Sequence, residues 1–229
     1  MADDVNVSGR IWMDSFPGWS WYRDDGTAWV KWGHLNEFTE PDQSLFSWVN
    51  QSSATIDTTY GPTVLKAPAP GGAGENVNLR VQATPTTPYN TIIGFIPQLD
   101  PADNTSCGMI LRESSTGKFI YSRLLFDDAS AITKSDIVFS VDKYTNPTTF
   151  SANYNVASAG FLRGSIIWLK VFDDGINITW SYSNDGQNYI DITTQSRTNF
   201  LASGPDQIGF AIDSNTTSGA VGMTLLAWN

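Results

Sequence analysis

Hydrophobic and polar residues alternate one by one through most of the chain, a period of two that is typical of half-buried antiparallel strands. The pattern is clearest in residues 176–183, INITWSYS, whose apolar residues share one face and whose Asn, Thr and Ser residues share the other. An Asp-Gly pair stands on each side of this run, at Asp174-Gly175 and Asp185-Gly186. Asp-Gly between alternating runs favours a tight hairpin turn with positive φ at both central residues. Residues 166–192 therefore predict a three-stranded meander.

The same alternation predicts further strands along the rest of the chain. They span 76–83, 90–97, 107–113, 118–126, 136–143, 148–156, 207–214 and 220–228, with shorter candidates at 44–49, 54–58 and 63–67. Turn residues separate these strands, and no segment has the pattern of an amphipathic helix. The sequence therefore predicts an all-β chain folded as a two-sheet antiparallel jelly-roll sandwich.

The domain organisation follows from the same pattern. We expect a single β-sandwich domain over 1–229, with a Trp-rich N-terminal segment, 1–50, packing on it. The Pro- and Gly-rich stretch 68–74 is interpreted as a surface loop and not as a domain boundary. Strands are predicted on both sides of it, and neither half of the chain contains a core of its own.

The charge balance narrows the range of partners. The 229 residues include 23 Asp and Glu against 13 Lys and Arg, for a net charge of −10. A chain this acidic is repelled by phosphate backbones and anionic membrane surfaces, so we expect neither nucleic acid nor a membrane as a partner. The opening residues MADDVNVSGR lack the basic and apolar regions of a signal peptide, which predicts synthesis in the cytoplasm. The single Cys107 is expected as a small buried hydrophobe on a strand.

Tryptophan is concentrated near the start of the chain, where six of the nine Trp residues lie between Trp12 and Trp48. Indole rings stack on the apolar faces of sugar rings, while flanking carboxylates hydrogen-bond the hydroxyls. Two alternatives stay open: the rings fill a core beneath an irregular segment, or they form a contact with another protein. The candidate ligand-binding residues, for a glycan or a protein contact, are Trp19, Trp21, Trp29, Trp32, Asp24 and Asp25.

Residues for catalysis and metal binding are sparse. One histidine, His34, and one cysteine cannot form a clustered zinc site, and no motif supports a Ser-His-Asp triad. The nearest acid cluster for glycoside cleavage lies in residues 37–42, but Glu37 and Glu40 are three residues apart and do not share a strand face. The sequence therefore predicts no catalytic residue and no cofactor, while a structural Ca²⁺ held by turn acids stays open.

The C-terminal half also carries a sequence signature. In chain order it consists of WLKV (168–171), Asp174-Gly175, TWSYS (179–183), Asp185-Gly186, Tyr189 and DQIGF (206–210). This run resembles the signature of concanavalin A-like lectin and glucanase sandwiches, as do Phe16-x-x-Trp19 and residues 108–120. The resemblance implies that fold, and it leaves lectins, glycosidases, adhesins and virion proteins as functional classes. The E-x-D-x-x-E motif of the laminarinase-type branch and the metal cluster of the legume lectins are missing from the sequence.

Three functional hypotheses follow from the resemblance. The acidic composition and the Thr-, Ser-, Asn- and Gly-rich loops look like those of tailed-phage proteins of this fold. That likeness implies a non-enzymatic virion-surface protein, a capsid decoration or cement protein that contacts capsid or other virion proteins and forms a homo-oligomer. The alternative is a carbohydrate- or receptor-binding lectin-like module, free or in a fibre, with a cell-surface glycan as its partner. A glycoside hydrolase is the third hypothesis.

Overall fold

The structure, a computed structural model, describes residues 11–13, 21–24, 29–31, 39–59, 62–69, 74–100, 104–127, 136–158, 165–215 and 220–229. The chain divides into two units, 1–39 and 40–229. In the first unit, three short antiparallel strands form a sheet in chain order: β1 (Ile11–Met13), β2 (Trp21–Asp24) and β3 (Trp29–Lys31). Asp24 of β2 pairs with Trp29 of β3. The expected single domain over 1–229 stays a prediction.

The second unit contains fourteen strands in two antiparallel sheets of seven, which confirms the predicted all-β sandwich. The strands are β4 (Ser47–Val49), β5 (Thr55–Asp57), β6 (Thr63–Ala67), β7 (Asn78–Ala83), β8 (Tyr89–Leu99), β9 (Ser106–Arg112), β10 (Phe119–Asp127), β11 (Asp136–Asn146), β12 (Thr149–Ser158), β13 (Ile167–Asp173), β14 (Asn177–Ser183), β15 (Ile190–Ser196), β16 (Gln207–Asp213) and β17 (Val221–Trp228). Sheet I has the order β12-β11-β10-β9-β16-β7-β4, and sheet II has the order β15-β14-β13-β8-β17-β6-β5. The predicted meander is β13-β14-β15.

The main core lies between the sheets and is built by the inward-facing residues of both. Alternate residues of β10 and β13 point into it, and Trp180 of β14 is its largest fully buried side chain. Cys107 of β9 is also fully buried there, as predicted, and burial raises the pKa of its thiol. Each large apolar side chain removed from water in this layer contributes about 1.5–3 kcal/mol.

Both Asp-Gly pairs build turns, but with a geometry that differs from the prediction. Gly175 and Gly186 have φ of 91° and 72°, whereas neither preceding Asp is among the described residues with positive φ. The carboxylate of Asp174 accepts hydrogen bonds from the backbone N–H groups two and three residues ahead, at 2.7 and 2.6 Å. Asp185 makes the same two contacts at 2.8 Å each. The predicted pair of positive-φ residues is wrong, because each Asp side chain closes a longer turn.

The segment from 44 to 49 also differs in part from its predicted strand. Gln43–Leu45 form a 3₁₀ helix, and the carboxylate of its N-cap residue Asp42 accepts a hydrogen bond from the Ser44 N–H at 2.9 Å. Only β4 is extended, because the cap holds the preceding residues in a helical turn. Among the described residues, no helix has the length and apolar character needed to cross a membrane. Of the loop predicted at 68–74, residues 70–73 lie outside the described ranges.

Sheet I also has a second buried layer, on the face that points away from sheet II. Its members come from six strands and the segment before β7: Val49, Val77, Leu79, Val81, Ile110, Phe119, Tyr121, Tyr144 and Ala211. The rings of Phe119 and Tyr144 stack there with centroids 4.8 Å apart. Beside them the guanidinium Nε of Arg123 donates to Asp142 Oδ2 at 2.6 Å, and both side chains are almost fully buried. Burial is the largest single effect and disfavours the charged guanidinium, but Asp142, Tyr144, Glu75 and Tyr121 together outweigh it and raise the pKa of Arg123.

Candidate functional site

The residues that the sequence singled out belong to the unit 1–39. Trp21 and Asp24 lie on β2 and Trp29 lies on β3, in a hairpin whose backbone register is described. Trp19, Asp25 and Trp32 lie outside the described residues. A ligand-binding role for this cluster therefore stays a prediction.

A different candidate site lies on the face of sheet II that points away from sheet I. There an open depression of about 310 Å³ spans four adjacent strands. Its lining residues are Asn90 of β8, Lys170 and Phe172 of β13, Thr179 and Ser181 of β14, and Asp191 of β15. Five of these six side chains are polar or charged, and the sixth is an aromatic ring.

Strand register brings these residues together in two rows. In the first row, Asn90 pairs with Phe172, and Phe172 pairs with Thr179. In the second row, Lys170 pairs with Ser181 and Ser181 pairs with Asp191. Directly paired residues on adjacent antiparallel strands have Cβ atoms about 4.5–5.5 Å apart. The six side chains therefore form one continuous patch on a rigid sheet.

The ring of Phe172 is the apolar part of this patch. Its side chain is 37% exposed, although its neighbours Val171 and Asp173 on β13 are buried. An exposed aromatic ring on a sheet face offers a flat apolar surface against which another flat apolar group packs.

The polar groups around the ring are held by contacts within the patch. Ser181 Oγ donates to Asp191 Oδ1 at 2.7 Å. The hydroxyls of Thr179 and Thr194 lie 2.8 Å apart. Lys170 Nζ lies 4.5 Å from the ring centroid of Tyr189, a cation–π contact that positions the ammonium group. Donors from Lys170 and acceptors from Asp191 thus flank one aromatic surface.

Tyr189 supports the patch from the β14–β15 connection. Burial, with a smaller effect of the Asp185 carboxylate, raises the pKa of its phenol to about 12. The phenol is therefore neutral at physiological pH. Its ring serves as a fixed apolar wall for the Lys170 side chain.

The chemistry of the patch suits binding better than bond cleavage. Glycoside hydrolysis by the usual routes needs two carboxyl groups on opposite sides of the scissile bond. Of the described residues that line the depression, Asp191 alone carries a carboxylate. No group of three or more His, Cys, Asp or Glu side chains is placed to hold a metal ion in the described ranges.

The sequence pattern predicts these strands, but it does not single out their outer-face residues as a binding site. Its alternation rule placed Thr179 and Ser181 on the polar face of β14, and that placement is confirmed. The same rule applied to WLKVF would have placed Lys170 and Phe172 together on the outer face of β13. A lysine and an aromatic residue on a solvent-facing strand surface were the available signal.

Comparisons with known proteins bear on the fold. No family model matches the sequence, and no curated protein sequence matches it. Solved structures do match. A functionally unknown protein from Saccharomyces cerevisiae aligns with a TM-score of 0.58 and 14% identity, over 83% of this chain and 97% of that one. The GH16 protein of the Bacteroides ovatus mixed linkage glucan PUL aligns with a TM-score of 0.54 and 12% identity, over 83% and 96% of the two chains.

A lectin gives a similar result. Lectin II from Ulex europaeus aligns with a TM-score of 0.50 and 13% identity, over 82% of this chain and 92% of the lectin. The fold is that of the concanavalin A-like superfamily. Its structural neighbours include both lectins and glycoside hydrolases. Identities this low show a shared fold, so a function has to be argued from the site.

Proposed function

We propose that this chain is a non-enzymatic carbohydrate-binding protein that holds a glycan against the outer face of sheet II. The observation that carries the proposal is the exposed Phe172 ring, flanked by Lys170 of the same strand, Asn90 of β8 and Asp191 of β15. The apolar face of a sugar ring packs against the phenyl ring. Its hydroxyls then pair with the ammonium, amide and carboxylate groups around it.

The charge of the patch and of the chain specifies a neutral glycan. Lys170 and Asp191 carry opposite charges, so the patch itself has little net charge. The chain as a whole carries −10, which repels uronate-rich or sulfated polymers. We therefore expect neutral hexose or pentose polysaccharides as ligands and exclude polyanionic ones.

The test is affinity electrophoresis through gels that contain neutral or acidic polysaccharides, with Phe172→Ala as the central variant. We expect a neutral polysaccharide to retard the natural chain and the variant to bind at least about tenfold more weakly, a loss of about 1.4 kcal/mol. Phe150→Ala is the matched control, because Phe150 is 38% exposed but lies on β12 of sheet I. This control should bind like the natural chain.

Two results would contradict the assignment. Equal retardation of the natural chain and Phe172→Ala would remove sheet II from the binding site. Loss of retardation in Trp21→Ala together with retention in Phe172→Ala would move the site to the Trp-rich unit 1–39, which contains the candidate ligand-binding residues of the sequence.

The setting on a tailed-phage virion is a separate proposal that rests on the sequence resemblance. Under this proposal the chain is synthesised in the host cytoplasm and is then located on the particle. Its partners are capsid or other virion proteins, and it forms a homo-oligomer. Immunogold labelling of particles tests it: regular label over capsid faces supports a decoration protein. Label at the tail tip, or none on any particle, contradicts it. A glycan-binding surface is compatible with either outcome.

A further inference from the structure

Two carboxylates meet at one end of sheet I, whereas the candidate glycan site lies on sheet II. Asp213 is the last residue of β16, and Glu75 lies just before β7. Asn215 connects them, because its N–H donates to Asp213 Oδ1 at 3.0 Å and its Nδ2 donates to Glu75 Oε1 at 3.2 Å. The Asn76 N–H also donates to Asp213 Oδ1 at 3.3 Å, and the Tyr144 hydroxyl donates to Glu75 Oε2 at 2.9 Å.

One carboxylate oxygen of this group accepts no hydrogen bond from an N–H or hydroxyl group of the described residues. Asp213 is fully buried, and within the part of the chain that the structure describes its Oδ2 faces the Glu75 carboxyl and receives no N–H or hydroxyl donor. A buried carboxylate oxygen without a donor is costly, so natural structures supply a proton or a cation at such a position. Three other oxygens of the two carboxylates already accept hydrogen bonds. A proton or a cation is therefore needed between the two carboxyl groups.

The charge balance of the surrounding layer selects the ligand. The charges of Arg123, Asp142, Asp213 and Glu75 all act on the Tyr144 phenol. The single guanidinium is already paired with Asp142. When all four groups are ionised, one positive and three negative charges leave a net charge of −2 in a largely buried cluster.

We propose that one Ca²⁺ ion binds between Asp213 and Glu75 and neutralises this cluster. Calcium takes six to eight oxygen ligands in flexible geometry and prefers carboxylates, amide oxygens and water. The two carboxylates and the Asn215 amide supply the protein part of such a shell. Glu75, Asn76 and Asn215 are only half-buried, which leaves a route from solvent to the buried Asp213. The ion would fasten the segment before β7 to the end of β16.

The test is thermal unfolding of the full chain, first treated with EDTA and then titrated with CaCl₂ to about 10 mM, which covers weak calcium modules. We expect the Tm to rise with calcium concentration, by about 5 °C at a hundredfold excess over the Kd. Asp213→Asn and Glu75→Gln should abolish that rise. Both variants keep the shape of the side chain, and a neutral amide at either position hydrogen-bonds the remaining carboxylate, so both are expected to fold. Asp57→Asn, which removes a half-exposed charge on β5, should keep the rise.

Terbium provides a second readout that does not depend on stability. Tb³⁺ replaces Ca²⁺ and luminesces when an aromatic ring lies beside it. The expected signal is lost in Asp213→Asn and kept in Asp57→Asn. Two results would overturn the proposal: no change in Tm with calcium in the natural chain, or an equal rise in all three variants. The first would mean that the two carboxyl groups share a proton, and the second that calcium binds elsewhere.

Discussion

The outer faces of the two sheets differ although both belong to one sandwich. The outer face of sheet I is a buried layer of apolar and aromatic residues around the Arg123–Asp142 pair. The outer face of sheet II exposes Phe172 among polar side chains. The burial of individual strands reflects this difference. Six of the seven residues of β9 are buried without interruption, whereas Ile192 alone is buried in β15 and partly buried and exposed residues alternate after it. A strand buried on both faces loses its period of two.

The two outer faces should also differ in the property that a substitution changes. Side chains on the outer face of sheet I are locked by packing, so substitutions there should act on the free energy of unfolding. Side chains on the outer face of sheet II are held by the sheet but contact solvent, so substitutions there should act on binding. Matched substitutions on the two faces test this division.

The largest expected effect comes from breaking the buried ion pair of sheet I. Asp142→Ala leaves the Arg123 guanidinium buried without its carboxylate and should lower the free energy of unfolding by about 3–5 kcal/mol. The exposed counterpart on sheet II, Asp191→Ala, should lower it by less than about 1 kcal/mol. Urea unfolding of both variants measures the two values. Similar losses in the two variants would contradict the division between the faces.

A matched pair of aromatic substitutions sharpens the same comparison. Phe119 is fully buried and Phe172 is 37% exposed. Phe119→Ala should cost about 3–5 kcal/mol of stability, because it removes a buried ring and leaves a cavity. Phe172→Ala should cost less than about 1 kcal/mol and weaken glycan binding instead. Urea unfolding and affinity electrophoresis on the same two variants give both quantities. The division would fail if Phe172→Ala proved as destabilising as Phe119→Ala.

A smaller effect on stability is expected at Gly94, where the Trp168 side chain packs on the outer face of sheet II. A Cβ added at Gly94 would come within 2.5 Å of the Trp168 ring, which lies across this position. Gly94→Ala should therefore lower stability by about 1–3 kcal/mol. The midpoint of urea unfolding reports the loss. An unchanged midpoint would show that the indole ring moves aside freely.

The smallest effect concerns pH. Burial, reinforced by the Glu75 carboxyl, raises the pKa of Asp213 well above its usual range, while Arg123 opposes the shift. A raised folded-state pKa means that the protonated carboxyl is favoured in the native protein. Its contribution to stability is complete below the unfolded pKa of about 3.9 and is lost as pH rises through the folded value.

In EDTA, the stability of the natural chain relative to Asp213→Asn should therefore fall as pH is raised from about 4 upward. Tyr144 and the Arg123–Asp142 pair, which also face this group, are present in both proteins and cancel in the comparison. Urea unfolding at several pH values gives the difference. A difference that is flat over this range would show that Asp213 does not titrate differently in the folded chain.

The sequence predicted the fold well and the candidate site poorly, for a physical reason. Alternation and Asp-Gly turns are local, so the meander β13-β14-β15 could be predicted from neighbouring residues. The site depends on which strands lie side by side. Asn90 reaches Phe172 only because β8 pairs with β13, and no local pattern specifies that pairing. The buried cluster at Asp213 and Glu75 depends on non-local pairing in the same way.

The central claim is that sheet II binds a glycan through its outer face. The most direct measurement is an NMR titration of the isotope-labelled chain with a short oligosaccharide of the neutral polysaccharide that retards it. We predict that the amide shifts will concentrate at residues of β8, β13, β14 and β15 around Phe172 and Lys170. Shifts confined to residues 11–31, or no neutral polysaccharide that binds at all, would contradict the account.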